Sequence, residues 1–87
     1  DVAALFIDLP PKNIYPDYYQ LIKNPICLKQ IEDKIYENPN YNLEAMENDI
    51  SLMAKNAQTY NEEGSMVYND SITIMVSYFK KINIFFQ

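Results

Sequence analysis

Eighty-seven residues are enough for one domain, and 48% apolar content excludes a disordered tail, while no apolar run approaches the ~20 residues of a membrane span. The net charge is −5, carried against seven lysines with no arginine, which argues against a grip on nucleic-acid phosphates; no direct nucleic-acid or membrane partner is expected. Histidine is absent and Cys27 is alone, so histidine triads, zinc sites and an internal disulfide are excluded and no cofactor is expected.

The lone thiol fits a reducing compartment, and an acidic surface favours a basic partner. The first residues show no basic region followed by an apolar core and a small-residue cleavage site, so no secretory signal is read there. The whole chain, residues 1–87, reads as a single domain.

Asp1 to Leu9 places Val2, Leu5, Phe6 and Leu9 at helical spacing, the last turns of a first helix whose start is missing or short. Pro10-Pro11 ends it. Residues 10–27 then form a long, proline-constrained connection with one helical turn, about Asp17 to Ile22; connections of that length are commonly functional. Leu28, Ile31 and Ile35 mark an amphipathic helix that Asn38-Pro39-Asn40 closes. Asn42 can cap the next helix, with Glu44 in its first turn and a stripe of Leu43, Met46, Ile50, Met53, Ala57 and Tyr60. Gly64, the only glycine, turns the chain, and Ser65 can cap a last helix striped by Tyr68, Ile72, Met75, Phe79, Ile82 and Phe86. No stretch alternates with period two. The fold class is all-α, a four-helix bundle counting the truncated first helix.

Most of these apolar residues are core, and Met46, Met53 and Met75 are read as packing. Ile14, Tyr15, Tyr18 and Tyr19 in the connection and Tyr60, Asn61 and Val67 around the turn belong to no stripe or end one. Loops are normally polar, so two aromatic-rich loops at one end of a bundle suggest a lined pocket without formal charge, suited to a neutral amide-bearing guest. A small core beneath the long loop is the competing explanation. Asp17, Asp49 and Asp70 lack catalytic partners and read as capping or solvated, so no enzyme is expected.

The stretches LFIDLPPKNIYPDYYQLIKNPICLKQI (Leu5 to Ile31) and NAQTYNEEGSMVYND (Asn56 to Asp70) resemble a bromodomain, the acetyl-lysine reader, over nearly the whole chain. The joint occurrence of YPDYY, I-K-x-P and N-A-x-x-Y-N at these separations is what makes the resemblance specific. Within the family the wording is similar to the modules of Swi/Snf- and RSC-type remodellers, polybromo modules first and the Brahma-type ATPase second.

The resemblance implies a left-handed bundle with a long loop between its first two helices. It implies that Asn61 donates to the acetyl carbonyl, that Tyr18 reaches the same carbonyl through a water, and that Val67 flanks the pocket mouth. Leu5-Phe6-Ile7 stands where many members carry a Trp-Pro-Phe shelf. Leu9, Tyr15 and Tyr60 complete the walls and Ala57 the floor. The implied partners are an acetylated histone tail, whose basic residues Glu62 and Glu63 would attract, and the other subunits of a Swi/Snf- or RSC-type complex. The domain is expected to be a nuclear monomer. The alternatives are a degenerate copy and a helical interaction module indifferent to acetylation.

Overall fold

The computed structural model describes the backbone of residues 2–85 and the side chains of residues 2–81. A 3-10 helix η1 (Val2–Phe6) is followed by α1 (Pro16–Leu21), α2 (Leu28–Glu37), α3 (Leu43–Tyr60) and α4 (Met66–Phe85). There is no strand among the described residues. η1 stands where the end of the first helix was expected. A 3-10 turn is a common way for a helix to finish, and Pro10-Pro11 prevents any continuation. α1 starts one residue earlier than its sequence suggests, because Pro16 occupies the first turn, where a missing N–H costs nothing.

α3 and α4 pack along one another, and η1 docks on α4. The core they share holds Phe6, Ile26, Ile31, Ile50, Met53, Ala57 and Ile74, with Ile50 fully buried. α3 follows its sequence closely. The Asn42 side chain accepts from the Ala45 N–H at 2.8 Å, an N-cap worth about 1 kcal/mol. The helix then buries Ile50, Met53 and Ala57 at spacings of three and four.

Two stripes differ from expectation. In α2 only Leu28 and Ile31 meet the core, so Ile35, one turn further along, is 52% exposed. In α4 the inward line passes through Val67, Ser71, Ile74 and Tyr78; of the expected stripe Phe79 packs against the core, while Ile72 lies outside. Ser71 is why. It has no exposed surface, its hydroxyl donates to the Tyr68 carbonyl at 2.6 Å, and it accepts from Gln58 Nε2 at 3.2 Å. A small polar residue satisfied in this way can sit where α3 and α4 approach, and a search for apolar periodicity passes over it. The expected positions of Ile82 and Phe86 lie outside the described side chains.

Two carboxylates read as capping or solvated have partners. Asp49 Oδ2 accepts from Lys34 Nζ at 2.9 Å and from the Tyr41 hydroxyl at 2.8 Å, joining α2, α3 and the turn between them. Asp17 accepts from Tyr60. The turn itself is set by Asn38, whose side-chain oxygen accepts from the Asn40 N–H at 3.0 Å. Gly64 has φ of +84°, the left-handed conformation that glycine adopts without strain, and the Ser65 N–H closes the bend onto the Glu62 carbonyl at 3.0 Å.

Candidate functional site

The connection between η1 and α2 is held down along its length. Pro11 supplies the carbonyl for the N–H groups of Ile14 and Tyr15, at 3.2 and 2.9 Å, and the Tyr19 hydroxyl donates to the Pro10 carbonyl. Lys12 Nζ lies 5.2 Å from the Tyr19 ring centre, within range of a cation–π attraction. At the far end Asn56, a buried residue of α3, donates from its amide to the Asn24 carbonyl at 2.9 Å. The connection is therefore a wall fixed to the bundle.

α1 projects Tyr18 from this wall toward the C-terminal end of α3. Its ring meets Tyr60 edge-on at 4.9 Å and 72°, and Tyr19 at 5.3 Å and 75°. The Tyr60 hydroxyl in turn donates to the Asp17 carboxylate. One residue on, Asn61 ends α3 in an extended conformation. Its backbone N–H and its side-chain Nδ2 both donate to the Ala57 carbonyl, at 3.0 and 2.9 Å. That bond fixes which end of the amide is the nitrogen. One N–H and the side-chain oxygen are left for another molecule.

These groups surround a cavity of about 350 Å³. Phe6, Leu9, Tyr15, Tyr18, Ala57, Tyr60, Asn61 and Val67, all singled out in the sequence, line it together. Ile7 does not. Phe6 turns inward with 7% of its surface exposed, the next side chain points away, and Ile7 is 46% exposed while its carbonyl accepts from the Lys29 N–H. Ile14, at 62% exposure, also lies outside the lining.

Met53, Ile26, Cys27, Pro10 and Pro11 line the cavity too, without having been assigned to it. Met53 had a signal: it lies one turn before Ala57 on the same face of α3. The expectation of a lining without formal charge is corrected by Asp8, an exposed carboxylate at the mouth. Burial raises the pKa of the Tyr18 phenol, assisted by Tyr19, Cys27 and Tyr60, so it remains a protonated donor through neutral pH. No group of metal-ligating side chains occurs among the described residues.

An all-helical bundle with an aromatic, nearly uncharged cavity and an anchored asparagine at its end defines a binding module. The chain belongs to the bromodomain family, whose model matches residues 1–72. It is similar to the "Chromatin structure-remodeling complex subunit snf21" of Schizosaccharomyces pombe, with 52% identity over 67 residues, 77% of this chain and 6% of that protein. It is 45% identical over 67 residues to "Chromatin structure-remodeling complex subunit rsc4" of the same organism, covering 77% of this chain and 12% of that protein. It is 41% identical over 69 residues to the "ATP-dependent helicase brm" of Drosophila melanogaster, covering 79% of this chain and 4% of that protein. The chain thus spans only a small part of these relatives. Among solved structures, the bromodomain of human BAZ1A superposes with a TM-score of 0.92 at 25% identity, covering all of this chain and 84% of that one.

Proposed function

We propose that the protein is a non-enzymatic reader of acetylated lysine, and that its natural guests are acetylated histone tails. The observation that carries this reading is the Asn61 amide, anchored to Ala57 at a cavity shared with the Tyr18 hydroxyl. An acetylated lysine ends in a neutral amide whose carbonyl accepts the remaining Asn61 N–H. Tyr18 supplies a second donor, reaching the carbonyl through a water. An unmodified lysine has only donors to offer, and its ammonium would lose water against Val67, Phe6 and Tyr15 without a buried counter-charge, at a cost of several kcal/mol. Selection therefore comes from exclusion as well as attraction.

A small site with one direct hydrogen bond binds weakly, with Kd on the order of tens to hundreds of micromolar, about 5 to 6 kcal/mol. The acidic surface, with exposed Glu62 and Glu63 beside Asn61, favours a basic tail. The similarity to remodelling-complex subunits supports a nuclear role in which the module recruits or retains such a complex on acetylated chromatin.

The test is an NMR titration with acetylated and unmodified histone-tail peptides. Shifts at Asn61, Tyr18 and Val67 with acetylated peptides only, abolished by Asn61→Ala, are expected. Equal binding by the folded Asn61→Ala variant would sink the reading.

A further inference from the structure

Asp8 is the only charged side chain among the described residues that line the cavity. It stands exposed at the mouth and makes no hydrogen bond or ion pair among the described residues. The backbone on either side of it is fixed. The Ile7 carbonyl accepts from the Lys29 N–H at 3.1 Å, and the Pro10 carbonyl accepts from the Tyr19 hydroxyl. Lys12, the nearest lysine in sequence, lies 5.2 Å from the Tyr19 ring centre, and neither residue belongs to the lining. No lysine lines the cavity, so nothing within the lining neutralises the Asp8 carboxylate.

This carboxylate shares the lining with the apolar Leu5, Leu9 and Pro10, where a charge is screened less than in open water. Glu62 and Glu63 differ from it. Both are exposed and neither lines the cavity, so they favour a basic guest as a whole rather than at one position. In an extended peptide, side chains two residues apart leave the same face about 7 Å from one another. With an acetylated lysine filling the cavity, the side chain two positions along the guest therefore passes over the rim.

We propose that Asp8 is a specificity-determining residue that pairs with a lysine or arginine two positions from the acetylated lysine. The module would then prefer tails in which an acetylated lysine and an unmodified basic residue occur at that spacing. The inference rests on the acetyl-lysine reading and adds a positional requirement to it. The ion pair forms at the surface, so its effect is modest, about two- to fivefold in Kd.

The test is an NMR titration with three acetylated peptides that share one neutral sequence. One keeps its neutral flanks, one has a lysine two residues before the acetylated lysine, and one has it two residues after. One of the lysine-bearing peptides is expected to bind the parent about two- to fivefold more tightly than the neutral peptide. Asp8→Asn is expected to bring that ratio to about one, and Glu63→Gln to keep most of it. Asp8→Lys is expected to reverse the preference, so that glutamate at the same peptide position binds more tightly than lysine.

The proposal is overturned if neither lysine raises the affinity of the parent, or if the ratio survives Asp8→Asn. It is overturned equally if Glu63→Gln lowers the ratio as much, since the attraction would then belong to the acidic surface at large. If no acetylated peptide binds the folded protein, the acetyl-lysine reading fails and takes this proposal with it. Binding that is intact but indifferent to the flanking lysine overturns the proposal alone.

Discussion

The Tyr60 hydroxyl donates to both oxygens of the Asp17 carboxylate, at 3.1 Å each, across 43 residues of sequence. This bond fastens the last residue of α3 to the first turn of α1, with the Tyr18 ring held edge-on against Tyr60. Since the two partners act through one bond, Tyr60→Phe and Asp17→Asn should each weaken binding of an acetylated peptide, and the double variant should be no worse than the poorer single one. Calorimetric titration of the four proteins checks this. Fully additive losses would show that the two residues act independently.

Tyr18→Phe keeps the ring and its edge contacts and removes only the hydroxyl. It should weaken an acetylated peptide by about 1 kcal/mol, about fivefold, with little change in Tm. An unchanged Kd would remove Tyr18 from the recognition of the carbonyl.

Asn56→Ala leaves the Asn24 carbonyl without its donor and releases the far end of the connection. The expected loss of stability is about 1–3 kcal/mol. At this chain length each kcal/mol lowers Tm by about 4–8 °C. Affinity for an acetylated peptide should fall as well, because the wall carrying Tyr15 and Tyr18 is no longer pinned. A Tm equal to that of the parent would mean that the bond adds nothing.

How far these features are legible in the sequence depends on how local their causes are. The Asn42 cap, the stripe of α3 and the need for glycine at 64 each follow from a few neighbouring residues, and the structure repeats them. Eight of the residues singled out for the site also meet at one cavity. The Asn56–Asn24 and Tyr60–Asp17 bonds join segments 32 and 43 positions apart and leave no periodic trace. Ser71 shifts the buried face of α4 because packing accepts a satisfied hydroxyl that apolar patterning ignores. Ile7 lies outside the lining and Asp8, which was not singled out in the sequence, lies in it, for a related reason: where the chain leaves η1, the direction of each side chain is set by the contact of Phe6 with the core.

Gly64→Val should destabilise the fold by roughly 1–2 kcal/mol through backbone strain alone. A Cβ built there meets nothing within 4 Å, so collision adds no further cost. Gly64→Asn should lose less, since asparagine tolerates positive φ. Thermal melts of the two variants give the comparison, and equal losses would point to something other than φ.

Burial, followed by the hydrogen bond to Asp49 and that residue's charge, raises the pKa of Tyr41. The folded protein thus holds this phenolic proton more tightly than the unfolded chain, whose tyrosines titrate near pH ~10. The stability this contributes is complete below pH ~10 and is lost as pH rises toward the higher folded-state value. The Tm advantage of the parent over Tyr41→Phe should therefore be constant from neutral pH to about pH 9 and shrink above about pH 10. An advantage that persists undiminished into strong alkali would contradict this. Tyr18 and Tyr60 shift in the same direction, so the difference from Tyr41→Phe, rather than the parent's melt alone, carries the result.

The tether between Asn61 and the Ala57 carbonyl also bears on how long a guest stays. The amide is aimed before any guest arrives, so capture needs no rotor to be frozen and no gate to open. Association then proceeds at an ordinary rate, about 10⁶–10⁷ per molar per second, and a Kd near 100 micromolar translates into residence for about 1–10 milliseconds. On the proposed reading, one such module samples acetylated tails by frequent brief visits. Lasting attachment to chromatin would come from several contacts made at once.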